Sequence, residues 1–123
     1  MNAPFRQLAV EAVGDVYCLR LQRARLAVGG LEELVADIDK FMIDTQCRNV
    51  VFSLGPDEPE CLYSVFLAKL VTLQKRLQTA GGGLVLAEAS DDVRNIFAAC
   101  RLDDLFRFAP DRAAAIALLH QGS

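Results

Sequence analysis

Two short apolar runs, separated by a longer segment with helical spacing, constrain the fold of this chain most strongly. The runs are NVVFSL at residues 49–54 and GLVLAEA at residues 83–89. Both are rich in aliphatic and β-branched residues and lack the alternation of a half-buried strand, which is typical of strands covered on both faces. Parallel strands need a long crossover connection, which the intervening segment supplies. The pattern predicts an α/β fold with a largely parallel sheet.

Further strand-like and helical segments surround these two runs. Stretches 5–13 and 16–22, joined by Gly14 and Asp15, predict a hairpin. Helical spacing, with acidic residues expected on the outside, predicts a helix over 29–45. The remaining predicted elements are a helix from about 58 to Ala80, a helix over 90–100 capped by Ser90, a strand over 106–110 and a helix over 111–121 capped by Asp111. The order β-β-α-β-α-β-α-β-α predicts a mixed, mostly parallel sheet with helices packed against it.

The length and hydropathy of the chain favour one domain over residues 1–123, without internal linkers or repeats. The apolar content of 53% and the mean hydropathy of +0.26 are high. No apolar run approaches the roughly 20 residues of a membrane span, and the N-terminal segment lacks the apolar core of a signal peptide. We therefore expect a cytoplasmic protein without a membrane span. The apolar excess fits either a dense core or a homodimer interface.

The charged and metal-ligating residues argue against several classes of function. The net charge is −3, acids and bases are interspersed, and there is no basic stripe and no Trp, so nucleic-acid binding is not expected. The four cysteines are far apart and His120 is the sole histidine, so no metal site is predicted. The glycines of AGGG follow a predicted helix and end it, whereas a phosphate-binding loop precedes one. The sequence predicts neither an enzyme nor a cofactor.

The thiols differ in their predicted surroundings. Three of the cysteines are expected to act as small core residues. Cys61 lies in the first turns of the second predicted helix, where the helix dipole lowers the pKa of a thiol. Glu58 and Glu60 lie beside it and oppose a thiolate. Redox sensing and simple packing both remain open for Cys61.

The second predicted helix has one apolar face and one face of small and basic residues. Asp57 and Glu60 have the spacing of a capping box. At 100° per residue, the stripe that faces the sheet contains Leu62, Phe66, Leu70, Leu73 and Leu77. The opposite arc begins with Ser64, Val65, Ala68 and Lys69 and continues through Thr72, Lys75 and Arg76. The start of this arc is a flat surface that fits either an interface or ordinary solvent exposure.

From NVVFSL to its last helix, the chain resembles the STAS domain of bacterial anti-sigma factor antagonists. The segment KRLQTAGGGLVLAEASDDVRNIFAACRLDDLFRF carries most of this resemblance, in the expected order of helix, glycine stop, strand and helix. The resemblance implies the STAS fold and a partner that is an anti-sigma factor with serine kinase activity. It also implies a motif of Asp, Ser, Ser or Thr, Gly and Leu at the start of the second helix. The kinase phosphorylates the second hydroxyl residue of that motif, and the added negative charge breaks the complex.

This chain departs from the family at the phosphorylation motif. Aligned without gaps to the glycine stop, the motif falls on Tyr63, Ser64, Val65, Phe66 and Leu67, so that Val65 occupies the acceptor position. Ser64 could serve as an acceptor if the alignment slips by one residue. Two further departures are Ser53, where an acidic residue is common, and Arg101, where a helix-ending glycine is common. A positive φ at Arg101 would cost up to about 1 kcal/mol.

The resemblance and the departures together predict a non-catalytic interaction module that lacks the usual phosphoserine switch. It is expected to bind an anti-sigma factor, a serine kinase or another assembly protein. The predicted docking residues are Glu60, Tyr63, Ser64, Val65, Ala68 and Lys69, with Tyr63 as the aromatic anchor. One alternative is a phospho-regulated antagonist that uses Ser64. Another is a module that binds a small ligand, nucleotide or lipid at the same helix N-terminus.

Overall fold

The secondary structure follows the predicted order of elements. The computed structural model describes residues 5–22, 28–55 and 64–121. These contain strands β1 (Leu8–Val13), β2 (Val16–Leu21), β3 (Asn49–Ser53), β4 (Gly83–Ala87) and β5 (Arg107–Ala109), and helices α1 (Gly30–Asp44), α2 (Ser64–Thr79), α3 (Asp91–Ala99) and α4 (Arg112–Gln121). The order β-β-α-β-α-β-α-β-α is confirmed, although the strands are shorter than predicted. The predicted start of the second helix, near residue 58, lies outside the described residues.

The strands form one five-stranded sheet in the order β1-β2-β3-β4-β5. β1 pairs antiparallel with β2, and the other neighbouring strands pair in parallel. Every residue of the two central strands, β3 and β4, is buried. Burial on both faces explains why neither strand shows an alternating pattern. The mixed, mostly parallel sheet is therefore confirmed.

Helices cover both faces of the sheet. On one face, α1, α2 and α3 contribute Leu34, Phe41, Phe66, Leu70 and Phe97 to the larger hydrophobic cluster. On the other face, α4 packs Ala115 and Leu119 against Val51 of β3 and Val85 of β4. Among the described residues, no helix has both the length and the apolar character needed to cross a membrane.

The N-caps of the last two helices are as predicted. Ser90 Oγ accepts a hydrogen bond from the backbone N–H of Val93 at 3.2 Å. Asp111 Oδ1 accepts one from the backbone N–H of Ala114 at 2.8 Å. Each side chain satisfies one of the amide groups that has no partner within its own helix.

The C-terminal ends of α2 and α3 both use left-handed backbone. Gly81 has φ +95°, and the N–H of Gly82 donates to the carbonyl of Leu77 at 2.9 Å. This is the predicted glycine stop of α2. After α3, Arg101 takes up a φ of +59°. The backbone of Arg101 therefore does adopt the left-handed conformation that favours glycine.

One acidic residue of α1 is buried, although the acids of this helix were predicted to lie outside. The Asp37 carboxylate accepts hydrogen bonds from the backbone N–H of Gln7 at 2.6 Å and of Leu8 at 3.2 Å. These bonds offset the cost of removing the carboxylate from water. Asp37 thus fastens the start of β1 to α1.

The prediction that three cysteines act as core residues is wrong in part. Among the described cysteines, Cys18 is buried, Cys47 is half-buried and Cys100 is exposed. Cys100 is the C-cap residue of α3, and this helix buries Val93 and Phe97 instead. Its place at the helix end keeps its thiol outside the core. Cys61 lies outside the described residues.

Candidate functional site

The start of α2 lies at the carboxyl edge of the parallel strands, where α/β proteins place most of their binding sites. β3 runs toward this edge and ends at Ser53, which is buried. The backbone N–H of Leu54 still donates to the carbonyl of Ala87 at 2.8 Å. From this edge, α2 runs back along the larger hydrophobic cluster.

Close backbone contact at Gly55 and Glu88 sets the path of the chain beyond β3. A Cβ atom added to Gly55 would lie 2.5 Å from the carbonyl oxygen of Glu88, so a larger residue would force the two segments apart. Glu88 itself has φ +61°. A non-glycine residue rarely adopts this conformation, and such residues cluster at functional sites. Glu88 has no sequence pattern that predicts this conformation, whereas a glycine directly after an apolar run, such as Gly55, is a signal for close backbone approach.

The inner side of the first α2 turn contains a core aromatic residue in place of the motif glycine. Phe66 is fully buried, and its ring packs edge-to-face against Phe52 of β3 at a centroid distance of 5.8 Å. Leu67, at the position of the motif leucine, is also buried. These two side chains fix the rotation of the helix about its axis. The residues on the opposite side are therefore held facing solvent.

The solvent-facing side of α2 consists of small residues and one exposed valine. Ser64, Val65, Ala68 and Thr72 are all exposed, and we call these four residues the open face of α2. Val65 is 54% exposed. The Thr72 hydroxyl donates to the carbonyl of Ala68 at 3.1 Å. A flat, weakly polar helix face of this kind can approach another protein closely.

The sequence analysis placed Lys69 on the solvent-facing arc of α2 as a docking residue. In the structure its ammonium group is instead engaged by α1. Its Nζ atom lies 2.7 Å from Asp39 Oδ1 of α1, and its side chain is only 28% exposed. The packing of α1 beside α2 brings the two charges together. Because they are 30 positions apart, local spacing in the sequence could not reveal this ion pair.

The predicted docking residues are placed only in part. Ser64, Val65 and Ala68 lie together on the open face, and Lys69 borders it. Glu60 and the proposed aromatic anchor Tyr63 lie outside the described residues, as does the capping box predicted for Asp57 and Glu60. Their role in binding stays a prediction. Within residues 5–22, 28–55 and 64–121, no group of three or more His, Cys, Asp or Glu side chains could hold a metal ion.

Several solved structures with the same architecture are anti-sigma factor antagonists or are described as such. A STAS domain protein from Planctomyces limnophilus is 21% identical, with a TM-score of 0.73 over 90% of this chain and 97% of that chain. The unphosphorylated form of the anti-sigma factor antagonist SpoIIAA is 17% identical, with a TM-score of 0.70 over 93% and 96%. A candidate antagonist from Thermotoga maritima is 16% identical, with a TM-score of 0.73 over 92% and 94%.

The chain therefore has the STAS fold, as the sequence resemblance predicted. No protein-family model matches the sequence. No curated protein matches it either. At identities of 16–21%, the similarity establishes the fold, and function has to be argued from the site.

Proposed function

We propose that this chain is a non-catalytic STAS-type interaction module that docks a protein partner through the open face of α2. The partner belongs to the class bound by anti-sigma factor antagonists, namely a serine kinase that acts as an anti-sigma factor, or a related assembly protein. Residues 1–123 act as one domain in this proposal. The observation that carries it is the exposure of Val65, which is 54% exposed; the sequence resemblance aligns this residue, which has no hydroxyl, with the acceptor position of the motif.

The shape and composition of the open face support docking. Ser64 and Ala68 have short side chains and lose little conformational entropy when a partner covers them. Val65 contributes apolar surface whose burial stabilises a complex by about 25 cal/mol per Å². Phe66 holds the helix in place from below, so the surface is already ordered before binding. Glu60 and Tyr63, which lie outside the described residues, are further docking residues in this proposal.

The absence of a hydroxyl at Val65 supports constitutive binding. SpoIIAA has been solved in an unphosphorylated and a phosphorylated form. Phosphorylation adds a charge of about −1.5 to −2, which at a docking surface opposes binding by repulsion and by the cost of desolvation. Valine cannot accept this group. A kinase could therefore not release itself from this chain by modifying the usual position.

A second candidate is a phospho-regulated antagonist that uses Ser64. The exposure of Ser64 at the first described turn of α2 favours this candidate. It differs from the first proposal in one measurable property, the covalent state of Ser64 after exposure to the kinase and ATP.

The docking surface is tested by placing a long charged side chain on it. The partner is an anti-sigma factor kinase encoded in the same genome, and binding is measured by isothermal titration calorimetry. We expect Val65→Arg to weaken binding at least about tenfold, as expected for a central interface residue. Gln78→Arg is the matched control, because Gln78 is exposed near the other end of the same helix. Unchanged binding by Val65→Arg would move the interface to another surface.

The switch is tested by incubating the protein with the same kinase and ATP, followed by intact-mass and peptide mass spectrometry. We expect no phosphoryl group on the natural chain and one phosphoryl group on Val65→Ser. Phosphate on Ser64 of the natural chain would establish the second candidate instead. Omitting ATP provides the baseline for both proteins.

A further inference from the structure

A cleft of about 620 Å³ opens at the amino edge of the parallel strands, opposite the edge at which α2 starts. It lies among the start of β2, the end of α1, the segment that leads into β3, and the end of α2. Residues that line it include Tyr17, Met42, Ile43, Cys47, Arg48 and Arg76. Its volume is in the range of sites that bind small molecules. The proposed docking surface does not use any of these residues.

Two arginines give the cleft a local positive charge in a protein whose net charge is −3. Arg76 lies in the last turn of α2. Arg48 Nη1 lies 4.0 Å from the point that a Cβ atom would occupy if Gly81 had a side chain. The guanidinium group of Arg48 is therefore close to the end of the same helix. Neither arginine forms an ion pair within 4.0 Å with any carboxylate of the described residues. No carboxylate in the described part of the chain therefore occupies either guanidinium group.

The carboxylate and the thiol that line the cleft offset only part of this charge, although Arg48 lies near enough to Asp15 to help lower the pKa of that carboxyl. Asp15 Oδ1 lies 3.0 Å from His120 Nε2, and this hydrogen bond lowers the pKa of Asp15 from its ordinary value. Asp15 is thus engaged by the end of α4. Burial raises the pKa of the Cys47 thiol, which keeps the thiol uncharged near neutral pH. Together with Arg48 and Arg76, these groups leave the cleft with one net positive charge when His120 is neutral.

The cleft also has an apolar wall. Ile43 of α1 is 73% exposed, although it is a large aliphatic residue. Met42 beside it is buried, and the Tyr17 ring packs edge-to-face on Phe41 at a centroid distance of 5.7 Å. Aromatic and aliphatic walls combined with a few polar groups are typical of sites for small organic molecules.

We propose that this cleft binds a small organic anion, with its carboxylate or phosphate group held by Arg48 and Arg76 and its apolar part against Ile43 and Tyr17. Guanidinium groups suit both anions because their N–H donors match two oxygens at once. The inference does not depend on the proposed docking function. It concerns the opposite edge of the sheet and different residues.

The site is tested by titrating the isotopically labelled protein with phenyl phosphate, hexanoate and inorganic phosphate, and recording amide chemical shifts by NMR. We expect phenyl phosphate or hexanoate to shift amides in residues 42–48 and 76–80. Inorganic phosphate should bind at least about tenfold more weakly than phenyl phosphate, because it lacks an apolar part. Adding benzoate, which keeps the phenyl ring of phenyl phosphate but has a carboxylate, identifies the preferred anionic group.

Variants on the two walls separate the contributions of charge and apolar contact. Arg76→Gln and Arg48→Gln should each raise the Kd of the preferred organic anion about tenfold or more. Lys75→Gln removes a neighbouring exposed charge outside the cleft and should leave the Kd unchanged. Ile43→Ser should weaken the organic anion without weakening inorganic phosphate. Both arginines and Ile43 are exposed, so the folded state should tolerate these substitutions.

Three outcomes would overturn the proposal. One is the absence of saturable shifts with both organic anions. Another is equal affinity for inorganic phosphate and phenyl phosphate, which would mean that the apolar wall does not contribute to binding. A third is a response confined to residues 64–69, which would place anion binding at the start of α2.

Discussion

The Lys69 ammonium lies 2.7 Å from the Asp39 carboxylate and links the start of α2 to α1 beside the open face. The two side chains are 28% and 44% exposed, so the pair lies at the surface between the two helices. Lys69 is the only basic residue among the predicted docking residues, and its ammonium group is engaged in this ion pair. The proposed docking mode therefore relies more on Val65 and its small neighbours than on a free ammonium group.

Disruption of this ion pair should have a small, salt-dependent effect on stability. A double-mutant cycle with Lys69→Met and Asp39→Asn, measured by urea denaturation, should give a coupling free energy of about 0.2–1 kcal/mol. The coupling should decrease at high salt because solvent screens partly exposed charges. Lys75→Met combined with Asp39→Asn is the control and should give no coupling. A coupling above about 2 kcal/mol would mean that the pair is effectively buried.

The core aromatic residue at the motif glycine position should contribute strongly to stability. Phe66→Ala removes a fully buried ring that contacts Phe52, and it should lower the free energy of unfolding by about 3–5 kcal/mol. The exposed neighbour Val65 is the matched control, and Val65→Ala should change it by less than about 0.5 kcal/mol. Chemical denaturation measures both. Equal effects of the two substitutions would contradict the rotation of α2 described above.

Local patterns were sufficient to predict most of the fold. The continuous apolar runs of β3 and β4 reflect burial on both faces of the sheet. Ser90 and Asp111 could be predicted as N-caps because each accepts a hydrogen bond from the backbone N–H three residues later. The 100° spacing of α2 likewise predicted that Val65 faces solvent and that Phe66 faces the core.

Contacts between residues distant in the sequence could not be predicted in this way. Asp37 is buried because its hydrogen-bond donors are the amides of Gln7 and Leu8, about 30 positions earlier. The Lys69–Asp39 pair and the cleft at Arg48 and Arg76 likewise arise from packing between separate elements. Periodicity predicts which face of an element is covered, but it does not identify the residues that cover it.

Arg101 offers a test of backbone strain at the end of α3. Its φ of +59° is unfavourable for a residue with a Cβ atom. Arg101→Gly should therefore raise the free energy of unfolding by up to about 1 kcal/mol, while Arg101→Ala should give no such gain. Thermal and urea denaturation measure both. The backbone at Cys100 has φ −89°, so Cys100→Gly should instead be neutral or destabilising. A gain from Arg101→Ala equal to that from glycine would exclude strain as the cause.

The buried amide of Gln74 should be one of the most sensitive polar groups in the core. Its Oε1 atom accepts a hydrogen bond from the Leu84 N–H at 2.7 Å, and its Nε2 atom donates to the Leu105 carbonyl at 2.8 Å. The side chain thus connects α2 to β4 and to the segment before β5. Gln74→Met has a similar shape but leaves both backbone groups without this partner.

We expect Gln74→Met to lower the free energy of unfolding by about 2–3 kcal/mol, because a buried donor or acceptor without a partner costs about 1–3 kcal/mol. Gln78→Met is the control on the same helix, where the side chain is exposed, and it should change stability by less than about 0.5 kcal/mol. Native-state hydrogen exchange adds a local measurement. The Leu84 amide should lose protection in Gln74→Met by more than the global loss of stability explains. Retained protection at Leu84 would show that water or another backbone group replaces the glutamine.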